Sequence, residues 1–184
     1  MLRWLKTRNQ SKAKASEIYG VVVAHARLPS FYGKSGVSDT MVGRYELIVL
    51  HMFLVMERLR RSSRTDEVLQ RVLVERFVTD MDDCMREIGV GDLKVGRHVK
   101  RAAAGLYERI AVYRAALARQ GTTPEAALEE SFKVVGLLPN PGADFARGQM
   151  AAYVRVAASQ LEAQSNDEIL SAAIAFPTPP DLAS

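Results

Sequence analysis

Three histidines (His25, His51 and His98), a single cysteine (Cys84) and the acidic cluster Asp80, Asp82 and Asp83 are the residues of this 184-residue chain best suited to chemistry. A catalytic dyad, a metal site or a haem ligand set would draw on these types. Their spacing supports none of the three. The histidines fall in different segments, no Cys or His stands near Cys84 in a zinc pattern, and a GxGxxG on a strand, a phosphate loop, GxSxG and HExxH are all missing. Acids this close together on a helix ordinarily form a solvated face, because a hard cation wants ligands converging from several directions. No catalytic residue, no metal and no bound cofactor is therefore expected. His51 is the sharpest candidate, since its helical neighbours Leu47, Ile48, Leu54 and Val55 are apolar and would desolvate its imidazole. A core histidine hydrogen-bonded to another helix is the simpler account, and a haem ligand or proton carrier the bolder one. Cys84 reads as a small buried hydrophobe.

The element that must position these groups is DTMVGRYELIVLHMFLVMERLRR, residues 39–61, whose centre from Leu47 to Met56 is apolar everywhere except His51. Such a run reads as a helix that is hydrophobic on all sides and needs cover all round. It is too short to span a bilayer. Ser38 or Asp39 is the expected cap, and Arg58, Arg60, Arg61 and Arg64 crowd the other end, where cations offset the helix dipole. Upstream, a helix is predicted from about Ser16 to Ala26 with Ile18, Val21, Val22 and His25 on one stripe. Residues 28–38 form a loop in which Phe31 and Tyr32 plug the core.

Downstream, Thr65 opens an amphipathic helix with Leu69, Leu73, Phe77, Met81, Met85 and Ile88 inward, stopped by Gly89. A third long helix follows Gly91 with Val99, Ala103, Leu106, Ile110, Tyr113 and Leu117 inward. Thr123 and Pro124 start a short helix to about Val135, and residues 139–142 form a turn. A last long helix, from about Asp144 to Ala163, points Phe145, Met150, Tyr153, Ala157 and Leu161 inward, and a short turn of helix from Asp167 precedes a proline-rich end. The expected architecture is all-α: a single-domain bundle of about five to seven helices around the central apolar helix at about residues 40–61. Residues 1–14 are expected to be a basic, flexible tail, 15–176 the helical domain, and 177–184 a proline-rich C-terminal tail.

At this length one core suffices, burying roughly 70% of the unfolded surface without staples. The lone cysteine rules out an internal disulfide and fits a reducing compartment. A net charge of +4 and a pI near 9.3 favour anionic partners without choosing between lipid headgroups and RNA. In the first segment, MLRWLKTRNQSKAK, cations flank Leu2, Trp4 and Leu5. It lacks the apolar core of a secretory signal, so export is not expected. A disordered basic tail is the plain reading and a membrane-interface anchor the alternative. The second basic segment holds Lys94, Arg97, His98, Lys100 and Arg101 at a helix start, where cations oppose the dipole. A helical nucleic-acid or ribosome-binding module could be built on Lys94, Arg97, Lys100 and Arg101.

The segment FYGKSGVSDTMVGRYELIVLHMFLVMERLR combines FY, DT, GR with an aromatic, and LH leading into an apolar run and RL. With DMDDCMREIGVGDLKVGRHVK and the tyrosines Tyr107 and Tyr113, it resembles the ubiquinol-cytochrome c chaperone family, the assembly factors of respiratory complex III. The likeness spans roughly Ile18 to Leu117 and is looser beyond Gly121, where YVRVAASQL and AFPTPP correspond. Glu108 departs from the glycine expected there. The resemblance implies a non-enzymatic helical protein that binds newly made cytochrome b, holds it during haem insertion and delivers it to the assembling complex. Its implied partners are cytochrome b or its assembly intermediate, the ribosome and, peripherally, the anionic inner membrane, with no DNA. The implied location is cytoplasmic, on the cytoplasmic face of that membrane. Candidate client-binding residues are Phe31, Tyr32, Asp39, Arg44, His51 and Arg58. Methionines such as Met41, Met52, Met56, Met81 and Met85 fill the core or adapt to irregular partners.

Overall fold

Helix α2 (Met41–Arg60) is buried at every residue from Glu46 to Glu57 in the computed structural model, as an apolar run without a polar face requires. The structure describes residues 2–33, 36–61, 65–139 and 143–182, and of these the side chains of all but residues 2–9, 65 and 66. Among the described residues there are six further α-helices and no strand: α1 (Leu2–Ala26), α3 (Thr65–Glu87), α4 (Asp92–Ala118), α5 (Pro124–Val135), α6 (Asp144–Ala163) and α7 (Asn166–Leu170). Helices α1, α3, α4 and α6 pack directly on α2. Around it α1 packs on α3, α3 on α4, α4 on α5 and α5 on α6, while α7 returns to α1 and closes the ring. Each ring helix is amphipathic and turns its apolar stripe inward, so the core forms one continuous cluster.

The ends of the helices follow local chemistry. Thr40 caps α2, its hydroxyl accepting from the Gly43 N–H at 3.1 Å, so the cap sits just beyond the expected Ser38 or Asp39. Gly43 has no room for a side chain: a Cβ there would overlap the Ser38 carbonyl oxygen and press on Val37. Gly89, at φ 80°, stops α3 while the Val90 N–H bonds back to the Met85 carbonyl at 3.0 Å. Thr123 caps α5 through the Ala126 N–H, with Pro124 in the first turn. The valine triplet of α1 is helical, and α1 begins at Leu2, well before the expected Ser16, taking in the basic segment. The side chains of Trp4 and its neighbours, the arginine at position 64 and most of the turn at 139–142 lie outside the described residues.

Four other expectations change. Phe145 is 75% exposed and Ile88 is 54% exposed, so the inward stripes of α6 and α3 each end short of these residues. Asp80 is not on a solvated face: it faces α1 and accepts the Tyr19 hydroxyl at 2.9 Å. Arg58 serves another helix's dipole rather than its own. It donates to the Leu161 and Gln164 carbonyls at 2.8 and 2.7 Å, covering the C-terminal end of α6, and to Asn166 Oδ1 at 2.8 Å.

Beyond α7 the chain crosses the bundle as a non-helical strap. Gln164 holds it through both backbone groups of Ala175, at 2.8 and 2.9 Å. Leu182 is buried, and its N–H donates to the Ser30 carbonyl at 2.8 Å.

Candidate functional site

Two features stand out from an otherwise ordinary helical core, one polar and one apolar. The polar one forms where α1, the loop at Phe31, α2, α6 and the strap meet. His51 is fully buried, and its Nδ1 donates to the Leu47 carbonyl at 2.7 Å, one turn back on the same helix. That bond fixes the tautomer and leaves Nε2 as an acceptor, 2.7 Å from the Tyr153 hydroxyl. The same hydroxyl lies 2.9 Å from His25 Nε2. A phenol has one proton to give, so the chain runs in a single direction, from His25 N–H to the Tyr153 oxygen and from the Tyr153 O–H to His51.

Aromatic rings enclose this chain. Phe31 meets His25, His51 and Tyr153 edge-on at 5.8, 5.3 and 5.2 Å, and Phe176 of the strap stacks on His25 at 4.6 Å. Burial lowers the His51 imidazole to about 3; its hydrogen bond to Leu47 opposes that shift and the neighbouring His25 adds to it. Burial also lowers His25 and raises the Tyr153 phenol. All three groups are neutral near pH 7. Neutral and mutually satisfied, they hold α1, α2 and α6 in register and pin the strap.

The apolar feature is an open groove of about 690 Å³ between the start of α2, the end of α3 and the first half of α4. Met41, Val42, Tyr45 and Ile48 line it from α2, Met81, Cys84, Met85 and Ile88 from α3, and His98, Ala102 and Gly105 from α4. Met41 and Val42 are 48% and 67% exposed. Arg27, Arg44 and Arg101 stand at its edge with Asp80, Glu87 and Glu108.

A polar clasp fixes the floor. Arg109 meets the buried Glu46 carboxylate with two hydrogen bonds, at 2.7 and 2.6 Å, and its guanidinium lies 5.5 Å from the Tyr45 ring centre. Tyr45 in turn donates to the Ala102 carbonyl at 2.9 Å, over Gly105. Burial, with the Asp80 and Glu87 carboxylates behind it, pushes the Cys84 thiol up, which keeps it protonated in the groove wall. Among the described residues no three His, Cys, Asp or Glu side chains converge on a position for a metal ion, and no helix is long and apolar enough to cross a membrane.

The candidates drawn from the sequence divide between these places. Phe31 and His51 meet in the polar cluster. Tyr32 packs against the core with its hydroxyl on the Ala26 carbonyl at 2.7 Å, covering the end of α1. Asp39 and Arg44 form an exposed ion pair at 2.6 Å beside the groove. Arg58 is at the far end of α2, about 21 Å from Arg44 at the helical rise. Lys94, Arg97, Lys100 and Arg101 are all exposed on α4. Sequence reasoning overlooked the convergence of His25 and Tyr153 on His51 and the clasp of Glu46 by Arg109. The one available signal was that His25 and Tyr153 each sat on an apolar stripe, where a polar side chain needs a partner.

Comparison with known proteins agrees with this architecture. The family profile described as ubiquinol-cytochrome C chaperone matches residues 34–176. A solved structure described as the Cbp3 homolog from Brucella abortus superposes with a TM-score of 0.79 at 28% sequence identity, covering 97% of each chain. No curated protein matches the sequence.

Proposed function

The chain belongs to the ubiquinol-cytochrome C chaperone family, and from that premise we propose that it holds newly synthesised cytochrome b through the α2–α3–α4 groove. On this reading it supports haem insertion and delivery of the client into complex III, and it acts by binding rather than by catalysis. It works at the cytoplasmic face of the inner membrane.

The observation that carries the proposal is the groove itself. A protein without a spanning helix among its described residues keeps Met41, Val42 and Ile88 in solvent around a cleft whose wall includes Met81 and Met85. A client built of transmembrane helices presents apolar side chains that water must not reach before assembly. Methionines re-pack around irregular apolar surfaces, and a groove between helices takes one face of a partner helix. Arg27, Arg44 and Arg101 at the edge suit polar or acidic residues where such a helix ends.

The test is recovery of the tagged protein from a detergent extract of membranes. Cytochrome b is the expected companion, retained when ionic strength is raised, because apolar contact is not screened by salt. Recovery of RNA in its place, lost steeply with salt, would overturn the proposal in favour of a nucleic-acid module.

A further inference from the structure

We propose that the outer face of α4, together with the α3–α4 turn, is a docking surface for an anionic lipid bilayer. Leu93, in the first turn of α4, is completely exposed. From it a solvent-facing stripe runs through Arg97 and Lys100 to Tyr107, at steps of four, three and seven residues, with Ala104 between the last two bordering the groove. Tyr107 is 55% exposed and stands about 21 Å from Leu93 at the helical rise. Lys94 and Arg101 flank the stripe, and the half-exposed Ile88 lies just before the turn.

The charges here have no internal purpose. None of Lys94, Arg97, Lys100 and Arg101 forms an ion pair among the described residues, and Lys94, in the first turn of α4, opposes the helix dipole. Of the nearby acids, Asp82 and Asp92 are both engaged by Arg86, at 2.6 and 2.5 Å. Glu87 and Glu108 lie along the groove side.

An apolar residue at one end, an aromatic at the other and cations between them match a membrane interface. The end residues enter the boundary between headgroups and acyl chains, and the cations meet lipid phosphates. RNA would use the same cations. It gains little from Leu93, however, and finds a single stacking ring, Tyr107, at the far end of the stripe. His98 and Arg101 of the same helix line the groove, so docking in this orientation holds the groove mouth at the bilayer surface. The inference adds a surface to the proposed location, and client-free vesicles test it separately from cytochrome b binding.

The experiment is flotation of the purified full-length protein with vesicles of phosphatidylcholine alone or with about one-third phosphatidylglycerol. Binding is expected to the anionic vesicles only. Arg97→Ala and Lys100→Ala should each weaken it about fivefold, and the pair about 25-fold. Leu93→Ala should weaken it by roughly fivefold with melting temperature unchanged, because its side chain is completely exposed among the described residues. Val156→Ala, at an exposed position on α6, and a full-length Trp4→Ala/Lys6→Ala variant should both bind as the parent does. The proposal is overturned if the Leu93 and Arg97/Lys100 variants bind vesicles like the parent. Loss of binding only in the Trp4/Lys6 variant would overturn it too, as would capture of RNA by these cations without vesicle binding.

Discussion

Replacing Tyr153 by Phe should destabilise the protein more than replacing His51 by Leu, although His51 is the more deeply buried of the two. The tyrosine hydroxyl is shared: His51 Nε2 accepts from it at 2.7 Å, and it accepts from His25 at 2.9 Å. In Tyr153→Phe the Nε2 of a fully buried neutral imidazole loses its donor, a cost of about 1–3 kcal/mol, while the half-buried His25 regains water cheaply. For a chain of this size that corresponds to a fall in melting temperature of roughly 3–10 °C. In His51→Leu the polar group itself is gone. Tyr153 keeps its hydrogen bond to His25, with the donor role reversed, so the change should stay within about 1 kcal/mol. Because the second substitution removes the orphan created by the first, the double variant should be more stable than Tyr153→Phe alone by about 1–2 kcal/mol. Thermal and urea unfolding followed by circular dichroism measures all four chains. A Tyr153→Phe protein as stable as the parent, or a double variant carrying the full sum of the two losses, would refute the directed hydrogen-bond chain.

Acidification should weaken the fold. His51 is lowered to about 3 in the folded chain against an ordinary value of 6.5, so between these values the unfolded state binds the extra proton. Stability therefore rises with pH across that window and is lost below it, by about 2 kcal/mol between pH 6.5 and 5, with His25 contributing in the same direction. His51→Leu should flatten that slope, and an unchanged slope in its unfolding curves would count against the assignment. Tyr113→Phe should raise stability by about 1 kcal/mol, because the Tyr113 hydroxyl is buried without a hydrogen-bond partner among the described residues. A fall in its melting temperature would show that the hydroxyl is satisfied. Gly43→Ala should cost at least about 2 kcal/mol despite the better helix propensity of alanine, since the new methyl meets the Ser38 carbonyl. Parent-like unfolding of that variant would mean the α2 entry relaxes freely.

The central helix was legible because ten consecutive positions from Leu47 to Met56 allow a single polar residue, a pattern only a fully covered helix tolerates. Caps and stops at Gly89, Thr123 and Pro124 were equally plain, since the chemistry that ends a helix is local. The polar cluster was not legible. His25, His51 and Tyr153 are brought together by the packing of α1, α2 and α6, and the separation of His51 from Tyr153 by 102 residues leaves no periodic trace. Periodicity also over-reached at Phe145 and Ile88. Each continues an apolar stripe past the point where a neighbouring helix covers it. Ile88 then becomes part of the groove, so the break between pattern and burial marks the candidate site itself.

A photo-crosslinking residue placed at Val42 or Ile88 in cells synthesising cytochrome b asks whether the groove holds the client. Crosslinks to cytochrome b from both positions, and none from the exposed control position Val156 on α6, are predicted. Crosslinks from Val156 with silence at Val42 and Ile88 would contradict the groove as the place where this chaperone holds its client.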